Sequence, residues 1–204
     1  MTSAFGEEVW WYIARSGGIV ALVLSAASVL WGLLLSSRYL KGGPKPAGLL
    51  NLHKFLGALT IVFSLVHLLG LYFDSYVEFG IAELLVPFRS AWKPVEVAAG
   101  VIAFWLLVAV QATSLVMKRL PRRLWKWIHL GSYVMLPLGI VHGITAGTDA
   151  DASWYQLLSG GLIGLLAFLT AWRAWMVPGR RKPAVKAAAP TRQSEAAPEL
   201  ASRH

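Results

Sequence analysis

Residues 52–70, "LHKFLGALTIVFSLVHLLG", decide how this chain is read, because the segment is apolar enough to lie in lipid and yet holds His53 and His67, fourteen positions apart. An imidazole in hydrocarbon is costly to leave unpaired, so ionisable residues inside such a segment mark function. The rest of the chain has to supply their partners.

Of its 204 residues, 56% are hydrophobic and 14% charged, against about 25% charged in soluble domains. The chain reads as a membrane protein. It contains no cysteine, which excludes disulfides, iron–sulfur clusters, thiolate ligation and cysteine nucleophiles. Five stretches reach the roughly 20 apolar residues that cross a bilayer core: 16–37, 52–73, 95–117, 125–146 and 156–177. They predict an all-α, polytopic bundle of five transmembrane helices over residues 1–177. Glu7 and Glu8 stand where a signal peptide needs basic residues, so the first span is expected to be retained. The segment 178–204 is rich in Ala, Pro and charge and has no aromatic residue, which predicts a disordered, basic cytoplasmic tail.

Charge sets the expected orientation. Arg38, Lys41, Lys45 and Lys54 flank the first loop, Lys118, Arg119, Arg122, Arg123 and Lys126 the third, and Arg180, Arg181 and Lys182 the tail. By the positive-inside rule these lie on the cytoplasmic side. The other side holds Arg15, Arg89 and Lys93 with eight of the ten acids, so the N terminus is expected outside and the C terminus inside. The net charge of +9 is then a topology signal and an attraction to anionic lipid, with no nucleic-acid partner implied. "VEFGIAELLVPF" (77–88) predicts a short surface helix able to cap what lies beneath it.

Four of the five histidines fall in predicted spans: His53 and His67 in the second, His129 and His142 in the fourth. These two spans run in the same direction, so His53 pairs in depth with His129 near the inner face and His67 with His142 near the outer. At about 1.5 Å per residue, the two layers lie roughly 20 Å apart. One histidine from each helix in each layer is the arrangement that holds a six-coordinate iron porphyrin edge-on between two helices. The angles agree less evenly. At about 100° per residue, fourteen residues bring His67 within roughly 40° of His53, whereas thirteen leave His142 roughly 140° from His129. Pro137 and Gly139 lie between the last two, which predicts a distortion there. Zinc sites want closer spacing, and proton relays bring mid-membrane carboxylates; neither pattern is present, and a haem-free bundle or transport path is the remaining alternative.

Small residues, Gly57, Gly131, Ser132, Gly139, Gly143, Gly17, Gly18 and Gly100, are expected to pack helices or make room for a flat macrocycle. Candidate cationic partners for haem propionates are Arg15, Arg89 and Lys93 outside, with Arg38, Lys54, Arg122 and Arg123 inside. Tryptophans near the span ends read as interfacial belts.

"LHKFLGALTIVFSLVHLLGLYFDSYVEFGIAELLVPF" (52–88) and "LPRRLWKWIHLGSYVMLPLGIVHGITAGTD" (120–149), with their histidine spacings, the "RRLWKWIHL" start of the fourth span and its closing "VHG", resemble the bacterial ferric reductase-like transmembrane family. Its relatives include the haem-binding subunit of the periplasmic methionine sulfoxide reductase system and the membrane domain of NADPH oxidases. The resemblance implies two b haems stacked across the bacterial cytoplasmic membrane, an inner one on His53 and His129 and an outer one on His67 and His142. It also implies a separate electron donor, a quinol or a flavin reductase, because the flavin and nicotinamide domain of full ferric reductases has no counterpart here. Judged by its histidines, the chain begins one helix later than six-helix members. The expected function is electron transfer to an outer acceptor, as an oxidoreductase or its subunit, with a b561-like cytochrome as the rival.

Overall fold

A computed structural model of the protein describes residues 2–36 and 46–176. The expectations for the 178–204 tail, and for Arg38, Lys41 and Lys45, fall outside the described residues. The helices are α1 (Thr2–Ser36), α2 (Pro46–Phe73), α3 (Ile81–Leu85), α4 (Pro94–Leu115), α5 (Arg122–Leu130), α6 (Ser132–Ala146) and α7 (Ser153–Met176), with a 3-10 turn at Met117–Arg119. Among the described residues there is no strand. Five segments are long and apolar enough to cross a membrane: Glu8–Ser36, Ala47–Phe73, Pro94–Leu115, Arg122–Ala146 and Ser153–Trp172. The chain is a multi-pass membrane protein.

The first helix starts well before the expected residue 16, because Trp10, Trp11 and Tyr12 carry the apolar pattern on toward its N terminus. Aromatic residues of this kind suit the membrane–water boundary. The start of α4 is sharper. Lys93 adopts a left-handed conformation (φ 42°), Pro94 opens the helix, and Glu96 lies in the first turn where the helix dipole favours an anion.

Two antiparallel pairs build the bundle: α1 lies along α2, α4 along α6, and α1 also crosses α6 and α7. Between them, Leu22, Ala26, Val29, Ala103, Leu107, Met135, Leu136 and Ile140 form the central core. Alanines at such contacts let helix backbones approach closely. The outward faces carry large apolar side chains such as Val62, Leu65, Leu69, Ile163 and Phe168, all exposed on the helix surface. That surface suits lipid.

The short helix expected between the second and third spans is α3, whose Leu84 is buried with Phe79, Val97 and Val101. The end of the bundle bearing α3 is called upper here, and the end bearing the 3-10 turn lower.

The distortion expected at Pro137 and Gly139 lies instead at Gly131, where α5 ends and α6 begins. Here the Gly131 N–H donates to the Ile128 carbonyl at 2.9 Å and the Val134 N–H to the Gly131 carbonyl at 3.0 Å, both three-residue steps. Three residues rising about 2.0 Å each instead of 1.5 Å recover the height of one missing residue, and the tighter winding supplies part of the missing rotation. This is how thirteen residues reach as far as fourteen. Pro137 sits within a continuous α6. A proline ring crowds the carbonyl four residues earlier, here that of Tyr133, which belongs to the first turn after the break.

Candidate functional site

The four membrane histidines meet as the depth argument requires. The rings of His53 and His129 lie 6.0 Å apart between centroids with an interplanar angle of 70°, and those of His67 and His142 6.3 Å apart at 77°. All four are partly buried.

Three of the four rings are aimed by a bond to a backbone carbonyl of a neighbouring helix. His67 Nδ1 donates to the Ala14 carbonyl at 2.6 Å, His142 Nδ1 to the Glu96 carbonyl at 2.8 Å, and His53 Nδ1 to the Ser28 carbonyl at 3.0 Å. A carbonyl only accepts, so in these three rings the proton is on Nδ1 and the lone pair on Nε2. That is the tautomer a metal-ligating histidine takes, its second nitrogen tied to a backbone carbonyl.

In all three cases the residue four places after the carbonyl is a glycine of the same helix: Gly18, Gly32 and Gly100. A Cβ on Gly18 would lie 2.9 Å from His67 Nδ1, on Gly100 2.7 Å from His142 Nδ1, and on Gly32 3.2 Å from His53 Cε1. The missing side chain uncovers the carbonyl below it. Gly18 and Gly32 are fourteen residues apart, as are His53 and His67, so one helix pair repeats the same contact at two heights.

The spacing of the facing rings fits a metal between them. Two metal–nitrogen bonds of about 2.0 Å and two imidazole radii of about 1.1 Å span a little over 6 Å. Among the described residues no group of three or more His, Asp or Glu could hold a metal ion. A two-histidine site therefore suits a metal that brings its own equatorial ligands, which a porphyrin does.

Beside the upper pair lies a cavity of about 270 Å³, lined by His67, His142, Gly18, Gly100 and Arg15 and roofed by Val77, Phe79 and Leu84 of the α3 region. Its lining is mainly apolar, as a flat macrocycle requires. At its rim Arg15 holds Asp149 with two hydrogen bonds, one of them Nε to Oδ2 at 2.6 Å, while its guanidinium lies 5.0 Å from the Trp11 ring. The pair joins α1 to the loop after α6. Arg15 is one-third exposed, at 33%, and Asp149 12%, so Asp149→Ala is expected to cost about 1–3 kcal/mol, between the limits for exposed and buried pairs. Thermal unfolding in detergent measures it, and the double variant with Arg15→Ala recovers part of the loss because no charge is left unpaired.

The other flagged residues are more scattered. Arg89 is exposed at the upper end, and Lys54 is exposed beside His53. Neither lines the cavity. Gly57 faces Gln111, whose Oε1 would lie 3.0 Å from a Cβ there, while Gly139 lines the cavity, where a Cβ would meet only Leu22, at 3.8 Å. Gly143 makes room for the Tyr155 hydroxyl. Lys93 Nζ donates to the Thr145 carbonyl at 2.8 Å, pinning the start of α4 to the end of α6. Sequence reasoning missed Gly32 and the backbone acceptors, and its one available signal was the fourteen-residue repeat of glycines on α1.

The model of the family described as ferric reductase like transmembrane component matches residues 17–140, a range that takes in His53, His67 and His129 and stops just short of His142. The haem-binding subunit of protein-methionine-sulfoxide reductase from Herminiimonas arsenicoxydans is 27% identical over 130 residues, which are 62% of this chain and 57% of that protein. The corresponding subunit from Ralstonia nicotianae is 28% identical over 190 residues, 90% of this chain and 80% of that one. No solved structure matches the chain.

Proposed function

Because the chain belongs to the ferric reductase-like transmembrane family, we propose that it carries electrons across the bilayer through two b haems, one between His53 and His129 and one between His67 and His142. The observation that carries this reading is the set of facing rings 6.0 and 6.3 Å apart, three of them with Nδ1 given to a helix carbonyl. The relatives named as haem-binding subunits support it.

A b haem, when bound, takes up and releases one electron at its iron. The protein's own work is to hold, space and insulate. The four imidazoles would hold the two groups, His53 with His129 and His67 with His142, and with two protein ligands at each level an external substrate would find no open coordination site unless a ligand left. This favours a relay over an enzyme with its own substrate. The core at mid-height, with Leu136 and Ile140 each 1% exposed, keeps water from the path between the layers. Arg15 has donors left beyond those given to Asp149, and these suit a propionate at the upper site.

On the charge-based topology the upper layer is outer, in a bacterial cytoplasmic membrane. Electrons then pass from a quinol or a separate flavin reductase at the inner side to an outer acceptor, such as a periplasmic reductase or ferric iron. The test is a reduced-minus-oxidised spectrum of the purified protein with a haem count. Two b haems per chain are expected, and a spectrum without b-type bands overturns the proposal.

A further inference from the structure

The fourth histidine breaks the rule the other three obey, and the exception lies in one residue. On α4, fourteen positions after Gly100, stands Ser114. Its place relative to the Val110 carbonyl is that of Gly100 relative to the Glu96 carbonyl, four residues on. Ser114 Oγ donates to the Val110 carbonyl at 2.6 Å, and His129 Nδ1 meets Ser114 Oγ at 3.4 Å. A hydroxyl has taken the acceptor that a bare carbonyl provides elsewhere.

Resting on the two-haem reading above, we propose that Ser114 is a positioning residue that raises the reduction potential of the lower haem by weakening the hold on His129. The other three rings sit 2.6, 2.8 and 3.0 Å from carbonyl oxygens, within the normal range for N–H···O bonds, whereas 3.4 Å lies beyond it. The hydroxyl is also shared, since Trp125 Nε1 points at it from 3.5 Å. Trp125 stacks on His129 with centroids 5.1 Å apart, so the ring is held in place by a face contact in addition to its weak bond.

The sign follows from ligand basicity. A strong acceptor on Nδ1–H pushes electron density through the ring to the iron, which stabilises the oxidised state and lowers the potential. The upper site has two strong acceptors, and the lower has one strong and one weak. This contribution makes the lower haem the easier of the two to reduce, so it fills first from a donor on its side.

The test is a spectroscopic redox titration of the full chain in a His142→Ala background, where the lower haem titrates alone. Ser114→Gly uncovers the Val110 carbonyl and is expected to lower the midpoint. Ser114→Ala keeps the Cβ and removes the acceptor, and is expected to raise it, while Ser114→Thr restores the hydroxyl and the original value. Gly32→Ser is a second, independent variant, expected to raise the midpoint by imposing the same device on His53. If Ser114→Gly and Ser114→Ala move the midpoint in the same direction, or if neither they nor Gly32→Ser move it, the proposal fails. Failure of the two-haem reading is distinguishable, because the parent protein then shows no titrating b haem.

Discussion

On the two-haem proposal, replacing Gly100 by valine is expected to empty the upper site without touching a proposed ligand. A Cβ at that position lies 2.7 Å from His142 Nδ1 and 2.8 Å from its Cγ and Cε1, closer than a side-chain carbon approaches a ring. Lys93 ties the start of α4 to the end of α6 through the Thr145 carbonyl, which resists an outward shift of the helix. So the imidazole turns away, gives up its carbonyl and no longer faces His67. The expected haem count falls from two to one, and the remaining spectrum is that of the lower site. Gly18→Val, with its Cβ 2.9 Å from His67 Nδ1, does the same from the other helix pair. Gly57→Val is the contrast: the nearest atoms to a Cβ there are the side-chain end of Gln111, which can turn to another rotamer, so both haems are expected to stay. A full count in Gly100→Val would show that the glycine register is packing only.

How far the sequence reaches is plain from these same glycines. The histidine layers were legible because a fourteen-residue interval on a helix is both a height and a direction, and both are set by helix geometry alone. The acceptors were not. A backbone carbonyl is common to every residue, so nothing in the letters marks Ala14, Ser28 or Glu96 as partners of a ring on another helix. Gly32 looks like any packing glycine until the ring of His53 is found over it. Likewise the local rule that proline distorts helices pointed to Pro137, whereas tertiary register needed extra rise between His129 and His142 and obtained it at Gly131. Arg15 was legible as a cation at the upper end, but its partner Asp149 is 134 residues away, and no periodicity links them.

The pairing itself has a test that a simple loss of haem cannot provide. If ligands pair by layer, His67→Ala removes one haem and leaves one, and adding His142→Ala removes nothing further, because both substitutions empty the same site. His67→Ala combined with His129→Ala removes both haems, since each layer then lacks a ligand. This non-additivity is the signature of residues that act as a unit. Pairing along each helix would give the opposite result: His67→Ala with His53→Ala would cost one haem, and His67→Ala with His142→Ala would cost two. The rings favour the layers, at 6.0 and 6.3 Å across against roughly 20 Å along a helix. Function follows the count. With one station gone, an electron faces the whole membrane from a single haem, so transfer from a quinol to an acceptor trapped inside vesicles is expected to fall to background in His67→Ala, while the surviving haem still reduces from its own side. Retained transmembrane transfer in that variant would mean that the upper histidines are not on the path.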